Sequence, residues 1–526
     1  MKKKYNLQFI LLFILIIILA SIPLFHNQIV LGDDLSFHIL RIRNLSESLK
    51  HFDFFPKIDV LTLNGYGYGS SLMYPNIFLY LPAILHVLGL DIILSYKIFV
   101  IFIHIITCLI CYYTCYKMSK GKYASLVASA IYTLCQYRML DVYSRGSVGE
   151  YLAITFVPLI VLGIYDYLFD DFNNPHYLGI GFWGLMMSHT ISLEIMIAVT
   201  IVIFLINYKK VFIKEKIIKL CITAIIVLLA SAIYLFPMLE QFLFYKFNVS
   251  HTAGLWEYGM SLKDLFNINK YGIGIIIPLL LIIRFFIRDR RKVVLGDQCL
   301  IAGLFALYMT TKYFPWKLIS KIFVIQFPWR MNAVAMVFFA IAIAIYLKNI
   351  NNKHFYYLEM GLIIISVVLF NQSLQQRFYS TQGSFDDTCV LGAGEWIPEG
   401  TDTSLLTDSS HVIYDKKIIN MKKNYNSIKF IAKSTGKYDV PLLYYKGYVA
   451  YIDNGEKREY QEVCKNENNL VCVNVSKENS RVVVKYEGTL IQKVSVWVTF
   501  ITFIYIIMYF VKKSRYNLTL VSSIKI

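Results

Sequence analysis

The sequence predicts a mainly α-helical, polytopic membrane protein with an extracytoplasmic, β-rich, sandwich-like domain near its C-terminus. Of its 526 residues, 57% are hydrophobic and only 16% are charged, whereas soluble proteins carry about 25% charged residues. Apolar runs long enough to cross a bilayer recur along the chain, and short basic clusters separate them. One polar segment, 372–490, interrupts this alternation.

The basic clusters predict the topology. Lys2 to Lys4 place the N-terminus in the cytoplasm, so the apolar run 7–30 leads outward as an uncleaved first span and residues 31–93 form an outer loop. With this span the chain has about twelve, and both termini are cytoplasmic. The other spans are expected near 94–116, 122–138, 151–168, 174–188, 190–206, 217–237, 271–287, 297–311, 331–347, 354–371 and 492–511.

The segment 76–90 is also apolar enough to span, but counting it would place the lysines that follow the next span outside. We therefore predict an interfacial or re-entrant helix there. The resulting domains are a transmembrane domain, 1–371, the outer β-rich domain, 372–490, and a final helix with a cytoplasmic tail, 491–526.

The net charge of +18 would be compatible with a nucleic-acid-binding protein. The basic residues, however, lie in short clusters between apolar runs, which is typical of the cytoplasmic loops of a membrane protein. The expected partner is therefore the lipid bilayer of a bacterial cell membrane, and no nucleic acid.

Within 372–490, two stretches alternate between polar and apolar residues, at 427–431 and 481–486, as strands with one buried face do. Asp453-Asn454-Gly455 predicts a hairpin turn, because these residues tolerate the left-handed conformation. Cys464 and Cys472 flank a polar turn and are candidates for a disulfide outside the cell.

A pair of carboxylates, Asp33 and Asp34, follows the first apolar run directly. If a helix begins at Asp34, His38 and Arg41 share one face with it, four and seven residues on. A carboxylate at this position is either a helix cap or an acid–base group, and spacing leaves both alternatives open.

The next predicted outer loop contains Arg138, Arg145 and Glu150. Arginines on the outer side run against the usual charge bias, and a guanidinium matches phosphate oxygens bidentately. The alternative is a structural pair, either Arg145 with Glu150 or Arg138 with Asp141.

Other candidates also lie on the predicted outer face. His189 stands at a span end, and Arg330 closes the segment Gln326-Phe327-Pro328-Trp329-Arg330, whose Trp is equally typical of an interfacial anchor. Tyr68 and Tyr74 belong to a glycine- and tyrosine-rich stretch that either stacks a sugar or lipid head or is a plain flexible loop.

Seven short motifs in this order resemble a bacterial family of multispanning membrane proteins labelled 6-pyruvoyl-tetrahydropterin synthase-related. Members of that family are similar to the GT-C superfamily of polyprenyl-phosphate-dependent glycosyltransferases. The motifs are Gly32-Asp33-Asp34-Leu35 with Phe37-His38, Gly65-Tyr66-Gly67-Tyr68 with Tyr74-Pro75, Tyr137-Arg138, Arg145-Gly146 through Gly149-Glu150, Ser188-His189, Gln326-Phe327-Pro328-Trp329-Arg330, and Gly394-Glu395-Trp396-Ile397-Pro398.

The resemblance implies a GT-C-like fold of about twelve transmembrane helices. It also implies a glycosyltransferase that moves a sugar from a polyprenyl-phosphate donor to a cell-envelope glycan or lipid acceptor on the outer face. Asp34 is then the general base, and Asp33 and His38 lie beside it. The relatives usually have His-Asp where this chain has Asp33-Asp34, so the role of Asp33 stays open as an acid, a metal ligand or a cap.

For the other candidates, the resemblance implies donor-phosphate binding or a supporting role, and no certain cofactor, with a divalent metal ion left open. The phosphate-binding candidates are Arg145, Arg330 and Arg138, and the supporting ones are Glu150, His189, Tyr68, Tyr74 and Glu395. Two other functions compete: a transporter or flippase of lipid-linked sugars, and a non-catalytic cell-envelope assembly protein.

Overall fold

The computed structural model describes residues 2–30, 32–251, 256–268, 270–274, 282–319, 325–350, 353–375, 388–392, 394–453, 455 and 458–523. The chain divides into two compact units, each assembled from three separate segments. The first, the helical unit, is Met1–Arg43, Phe78–Thr223 and His251–Asp386. The second, the barrel unit, is Asn44–Ile77, Ala224–Ser250 and Asp387–Ile526.

The helical unit is built around two helices that are apolar on all sides, Val148–Phe169 and Asn332–Ile350. They are buried over 89% and 83% of their most apolar windows, as expected for the centre of a bundle. The longer helices that belong wholly or partly to this unit are Lys2–Ser21, Leu35–Lys50, Tyr80–Val87, Ile92–Ser119, Lys122–Thr133, Gln136–Leu140, Val148–Phe169, His176–Met186, Thr190–Ile206, Lys214–Ala230, Val294–Met309, Asn332–Ile350 and Lys353–Gln375.

Among the described residues, seven helices are long and apolar enough to cross a membrane, or up to eight if one bent pair is counted as a span. The expected count of about twelve is not confirmed. Helices Lys122–Thr133 and His176–Met186 have only 12 and 11 residues, too few to cross the hydrocarbon layer alone. Part of the span expected at 271–287 lies outside the described residues.

Two expected segments take a different form. The span predicted at 217–237 is a pair of helices, Lys214–Ala230 and Ala232–Phe244, bent by 77° at the break. The segment 76–90 contains only the short helices Ile77–Leu79 and Tyr80–Val87.

The β-rich part of the barrel unit is a closed eight-stranded barrel, so the predicted sandwich is wrong. The strand order is β1-β2-β3-β8-β5-β6-β7-β4, and the pair Ile413 and Asp439 joins β1 to β4 to close the sheet. Alternation identifies the buried face of a strand but not whether the sheet closes, which explains the error. The strands are β1 His411–Tyr414, β2 Lys417–Asn424, β3 Ser427–Ala432, β4 Gly436–Leu443, β5 Tyr448–Asp453, β6 Arg458–Lys465, β7 Leu470–Val475 and β8 Ser480–Tyr486.

The strands expected at 427–431 and 481–486 are confirmed as β3 and β8, which pair with each other. The predicted hairpin is confirmed too, since β5 and β6 pair antiparallel across it; its residue Asn454 lies outside the described residues. Cys464 on β6 faces Cys472 on β7 directly, and both are free thiols. Helix Leu490–Ser523 follows the barrel.

Candidate functional site

Two glycines hold the Asp33-Asp34 turn against the segment that contains Arg145. A Cβ atom on Gly32 would lie 2.4 Å from the backbone of Arg145, and one on Gly146 would lie 2.5 Å from the Cβ of Leu35. Gly146 also has a φ of +67°, which favours glycine. The approach is close enough for the Asp34 backbone N–H to donate to the Arg145 carbonyl at 2.9 Å.

Across this junction Arg145 gathers three carboxylates. Its guanidinium lies 2.8 Å from Asp141, 2.7 Å from Glu150 and 3.5 Å from Asp34. Glu150 also binds Arg330 at 3.1 Å, so one carboxylate bridges two arginines that are far apart in sequence. We call Asp34, Asp141, Arg145, Glu150 and Arg330 the ion cluster.

The side chains of the ion cluster differ in their exposure to solvent. The side chains of Arg145 and Arg330 are 7% and 5% exposed, and those of Glu150 and Asp141 are 1% and 0% exposed. The Asp34 side chain, at 21%, is the most exposed of the five. Asp34 is therefore the member of the ion cluster that a molecule in the surrounding solvent can reach most easily.

The pKa values of two cluster carboxyls are raised. Burial raises the pKa of Asp34 above 3.8, with smaller contributions from Asp33 and Glu150, while Arg145 and a hydrogen bond with Ser147 oppose the rise. Burial and the Glu150 carboxylate raise the pKa of Asp141 well above 3.8.

Two histidines, His38 and His189, lie near the cluster. Burial lowers the pKa of His189 to about 3, helped by the charge of Arg330. Its Nδ1 accepts from the backbone N–H of Ser192 at 3.3 Å and so caps helix Thr190–Ile206. The neutral ring therefore carries its proton on Nε2. Burial and then the charge of Arg41 keep the pKa of His38 well below 6.5, and the two side chains lie 3.3 Å apart.

Aromatic rings line the same region. Tyr271 lies over Arg145, with its ring centre 5.8 Å from the guanidinium carbon, and its hydroxyl lies 3.5 Å from Asp33. Its ring stacks on Trp329 at 4.9 Å, and Trp329 stacks on Phe327 at 4.3 Å. The segment that supplies Arg330 thus also supplies an aromatic wall beside the acidic turn.

Arg138 occupies a different environment. Its side chain is completely buried, and its guanidinium binds His104 at 3.0 Å, Thr107 at 3.1 Å and the carbonyl of Thr133 at 3.0 Å. These contacts lie among the helices rather than in the ion cluster. The Arg145–Glu150 pair considered as a structural alternative is present, as one part of the larger cluster.

Tyr68, Tyr74 and Glu395 lie in the barrel unit. Tyr68 is fully buried, and its oxygen accepts from the backbone N–H of Trp396 at 3.3 Å. The rings of Tyr74 and Trp396 are 5.4 Å apart. The backbone carbonyl of Glu395 accepts from the N–H of Val249 at 2.8 Å. The structure thus brings these predicted residues together around Trp396.

Sequence reasoning missed Tyr271, and it considered Asp141 only as a partner of Arg138. Tyr271 lies far along the chain from Asp33, at the edge of an apolar run, and no motif marks it. Asp141 stands four residues before Arg145, a spacing at which side chains meet on a helix. That signal was available for Asp141, and none was available for Tyr271.

A divalent metal was left open. Among the described residues, no group of three or more His, Cys, Asp or Glu side chains is arranged to hold a metal ion. The cluster carboxylates are directed at arginines instead.

Comparisons with known proteins identify the family. A family model for the 6-pyruvoyl-tetrahydropterin synthase related domain, described as a membrane protein, matches residues 73–379. An uncharacterised protein of Lactococcus lactis subsp. cremoris (strain MG1363) is 23% identical and aligns over 87% of each chain. Since the model covers more than half of the sequence, the chain belongs to the 6-pyruvoyl-tetrahydropterin synthase related family of membrane proteins.

Proposed function

We propose that this membrane protein is a glycosyltransferase of GT-C type, which moves a sugar from a polyprenyl-phosphate donor to a cell-envelope acceptor on the outer face of the membrane. The observation that carries the proposal is the ion cluster: one accessible carboxylate, Asp34, at the rim of two buried arginines held in place by Glu150. An accessible base beside fixed positive charge suits the transfer of a group whose leaving group is a phosphate.

In the proposed reaction, the oxygen of an acceptor hydroxyl attacks the anomeric carbon of the donor. The bond from that carbon to the phosphate oxygen breaks, and its electron pair leaves with the polyprenyl phosphate. Asp34 takes the hydroxyl proton. The phosphate needs no proton to leave, so one base suffices for a direct displacement.

Arg145 and Arg330 stabilise the leaving phosphate in this proposal. Because both share Glu150, their positions are set before substrate binds, which is how preorganised charge stabilises a transition state. The two guanidinium groups, fixed in this way, would stabilise the negative charge that develops on the departing phosphate.

The test uses proteoliposomes with a panel of short-chain polyprenyl-phosphate hexoses, each radiolabelled in the sugar. Extracted envelope polymer from cells that lack the protein serves as the acceptor. We expect label to move to the polymer with the wild type and to fall at least about 100-fold with Asp34→Asn, the scale of a lost general base. Asp170→Asn removes an exposed carboxylate elsewhere and is the matched control.

The same preparation separates transfer from transport. A flippase would move the labelled lipid between leaflets without consuming it, and Asp34→Asn would leave that movement largely intact. Undiminished sugar transfer by a folded Asp34→Asn variant would overturn the proposed base.

A further inference from the structure

Helix Leu35–Lys50 ends in a pattern where glycine is the usual residue. The N–H of Asp53 donates to the carbonyl of Ser48 at 2.9 Å, and the N–H of Phe52 donates to that of Leu49 at 3.1 Å. These two bonds define a Schellman motif. Its left-handed position is taken by Phe52, with a φ of +59°, a conformation that is unfavourable for any residue with a Cβ atom.

Burial does not compensate this strain, because the Phe52 side chain is 81% exposed. Its described ring contact is an edge-on approach to Phe54 at 6.5 Å between centres. A large ring held outward in a strained conformation, with little packing of its own, indicates a contact with something outside the chain.

Beside Phe52 stands a rigid aromatic pair. The rings of His51 and Tyr425 are stacked at 4.6 Å and only 7° from parallel. The Tyr425 hydroxyl is hydrogen-bonded to the Ser48 hydroxyl at 2.7 Å and to Asp53 at 3.1 Å. The end of the helix and the β2–β3 turn of the barrel are thereby fixed to each other, within the barrel unit.

These residues border an open cleft of about 800 Å³, within the size range of small-molecule sites. The planar polar groups of Asp53, Asn424 and Asn426 line it together with the aromatic rings. Carboxylate and amide groups offer paired acceptors and donors to neighbouring hydroxyls.

We propose that this cleft, the Phe52 cleft, binds a hydroxyl-rich oligosaccharide. Phe52 lies against the C–H face of one sugar ring, and Asp53, Asn424 and Asn426 bind its hydroxyls. The strained backbone at Phe52 is retained because the ring serves the ligand rather than the fold. This site lies in the barrel unit and does not depend on the proposed sugar transfer.

An exposed phenylalanine near a membrane also suits insertion among lipids. The lining favours the oligosaccharide, because its described residues include a carboxylate and two amides but no lysine or arginine. A hydrocarbon environment would place the Asp53 carboxyl and both amides against groups that cannot form hydrogen bonds with them.

The test measures binding of the full chain in nanodiscs to immobilised neutral oligosaccharides of hexoses, deoxyhexoses and N-acetylhexosamines. We expect the wild type to bind at least one of them. Phe52→Gly should weaken that binding at least tenfold while the thermal midpoint stays equal or rises, since glycine relieves the strain. Asp53→Asn should also weaken it. Tyr460→Ala removes a 60% exposed ring elsewhere on the barrel and should have no effect.

Several results would overturn the proposal: no binding to any of the oligosaccharides, unchanged binding by Phe52→Gly, or a lower thermal midpoint for Phe52→Gly. Quenching of a Phe52→Trp variant by brominated phosphatidylcholine in the nanodisc would identify lipid as the occupant instead. Asp34→Asn should bind like the wild type, so a failure of sugar transfer and a failure of glycan binding are measured separately.

Discussion

Asp34 is partly accessible to solvent, yet its surroundings change its pKa: burial raises it most, Glu150 of the ion cluster also raises it, and Arg145 lowers it. The raised pKa means that a base at this position becomes ionised above pH 3.8, so the acidic limb of the activity profile should lie higher than for an ordinary carboxyl. This consequence can be used to examine Asp33, whose role the sequence left open.

The Asp33→Asn variant should move that acidic limb to lower pH, because the Asp33 carboxylate raises the pKa of Asp34. The measurement is the pH profile of sugar transfer in proteoliposomes, compared with that of the wild type. If Asp33 only shapes the local charge, the maximal rate stays within a few-fold. A loss as large as that of Asp34→Asn would instead make Asp33 a second catalytic acid.

Glu150 is the residue on which the two buried arginines depend. In Glu150→Gln, Arg145 and Arg330 lose their shared charge partner in a buried site, which should lower the free energy of unfolding by about 3–5 kcal/mol. Thermal unfolding in detergent measures this. Glu47→Gln breaks exposed pairs with Lys50 and His51 and should cost under about 1 kcal/mol. Equal stability of both variants would contradict the bridging role.

The contact between the Asp33-Asp34 turn and the Arg145 segment depends on two glycines that the sequence motifs contain without explaining. Gly146→Ala would place a methyl group 2.5 Å from Leu35 on a left-handed backbone. We expect it to destabilise the chain by at least about 1–2 kcal/mol and to reduce sugar transfer by displacing Asp34. Gly361→Ala, where nothing lies within 4 Å, is the control and should not lower stability. Normal stability and normal sugar transfer in Gly146→Ala would contradict the requirement for this close contact between the two segments.

Strands β6 and β7 bring Cys464 and Cys472 directly opposite each other, and directly paired antiparallel residues have Cα separations that a disulfide accepts. In an oxidising exterior we expect the bond to form and to add about 2–3 kcal/mol for so short a loop. Mass spectrometry of a non-reduced digest detects the cross-linked peptides. Two free thiols in protein purified without reductant would refute this.

Local patterns predicted the strands β3 and β8 and the β5–β6 hairpin well, because alternation and turn residues act within a few positions. They did not predict barrel closure, which depends on one pairing between β1 and β4. Nor did they predict the bend of 77° between Lys214–Ala230 and Ala232–Phe244. Hydropathy measures how apolar a segment is, and a bend or a short helix has nearly the same hydropathy as a straight span.

One prediction concerns the whole molecule: both termini are expected in the cytoplasm and the barrel outside. In a cysteine-free background, Asn479→Cys in an exposed barrel turn should react with a membrane-impermeant maleimide on intact cells. Lys210→Cys, in a predicted inner loop, should react only after permeabilisation. Labelling of both positions in intact cells would contradict the predicted orientation.

Composition and charge distribution were sufficient to predict a membrane protein, because the bilayer imposes its requirements on each segment separately. The motifs also marked Asp34, Arg145, Glu150 and Arg330 one by one. The sequence did not predict that they assemble into one ion cluster. Arg330 and Glu150 are 180 positions apart, and they meet only because several helices pack together in one arrangement. The same holds for Arg138, which looks like Arg145 in sequence but is buried among His104 and Thr107, because tertiary packing decides which arginine meets the acids.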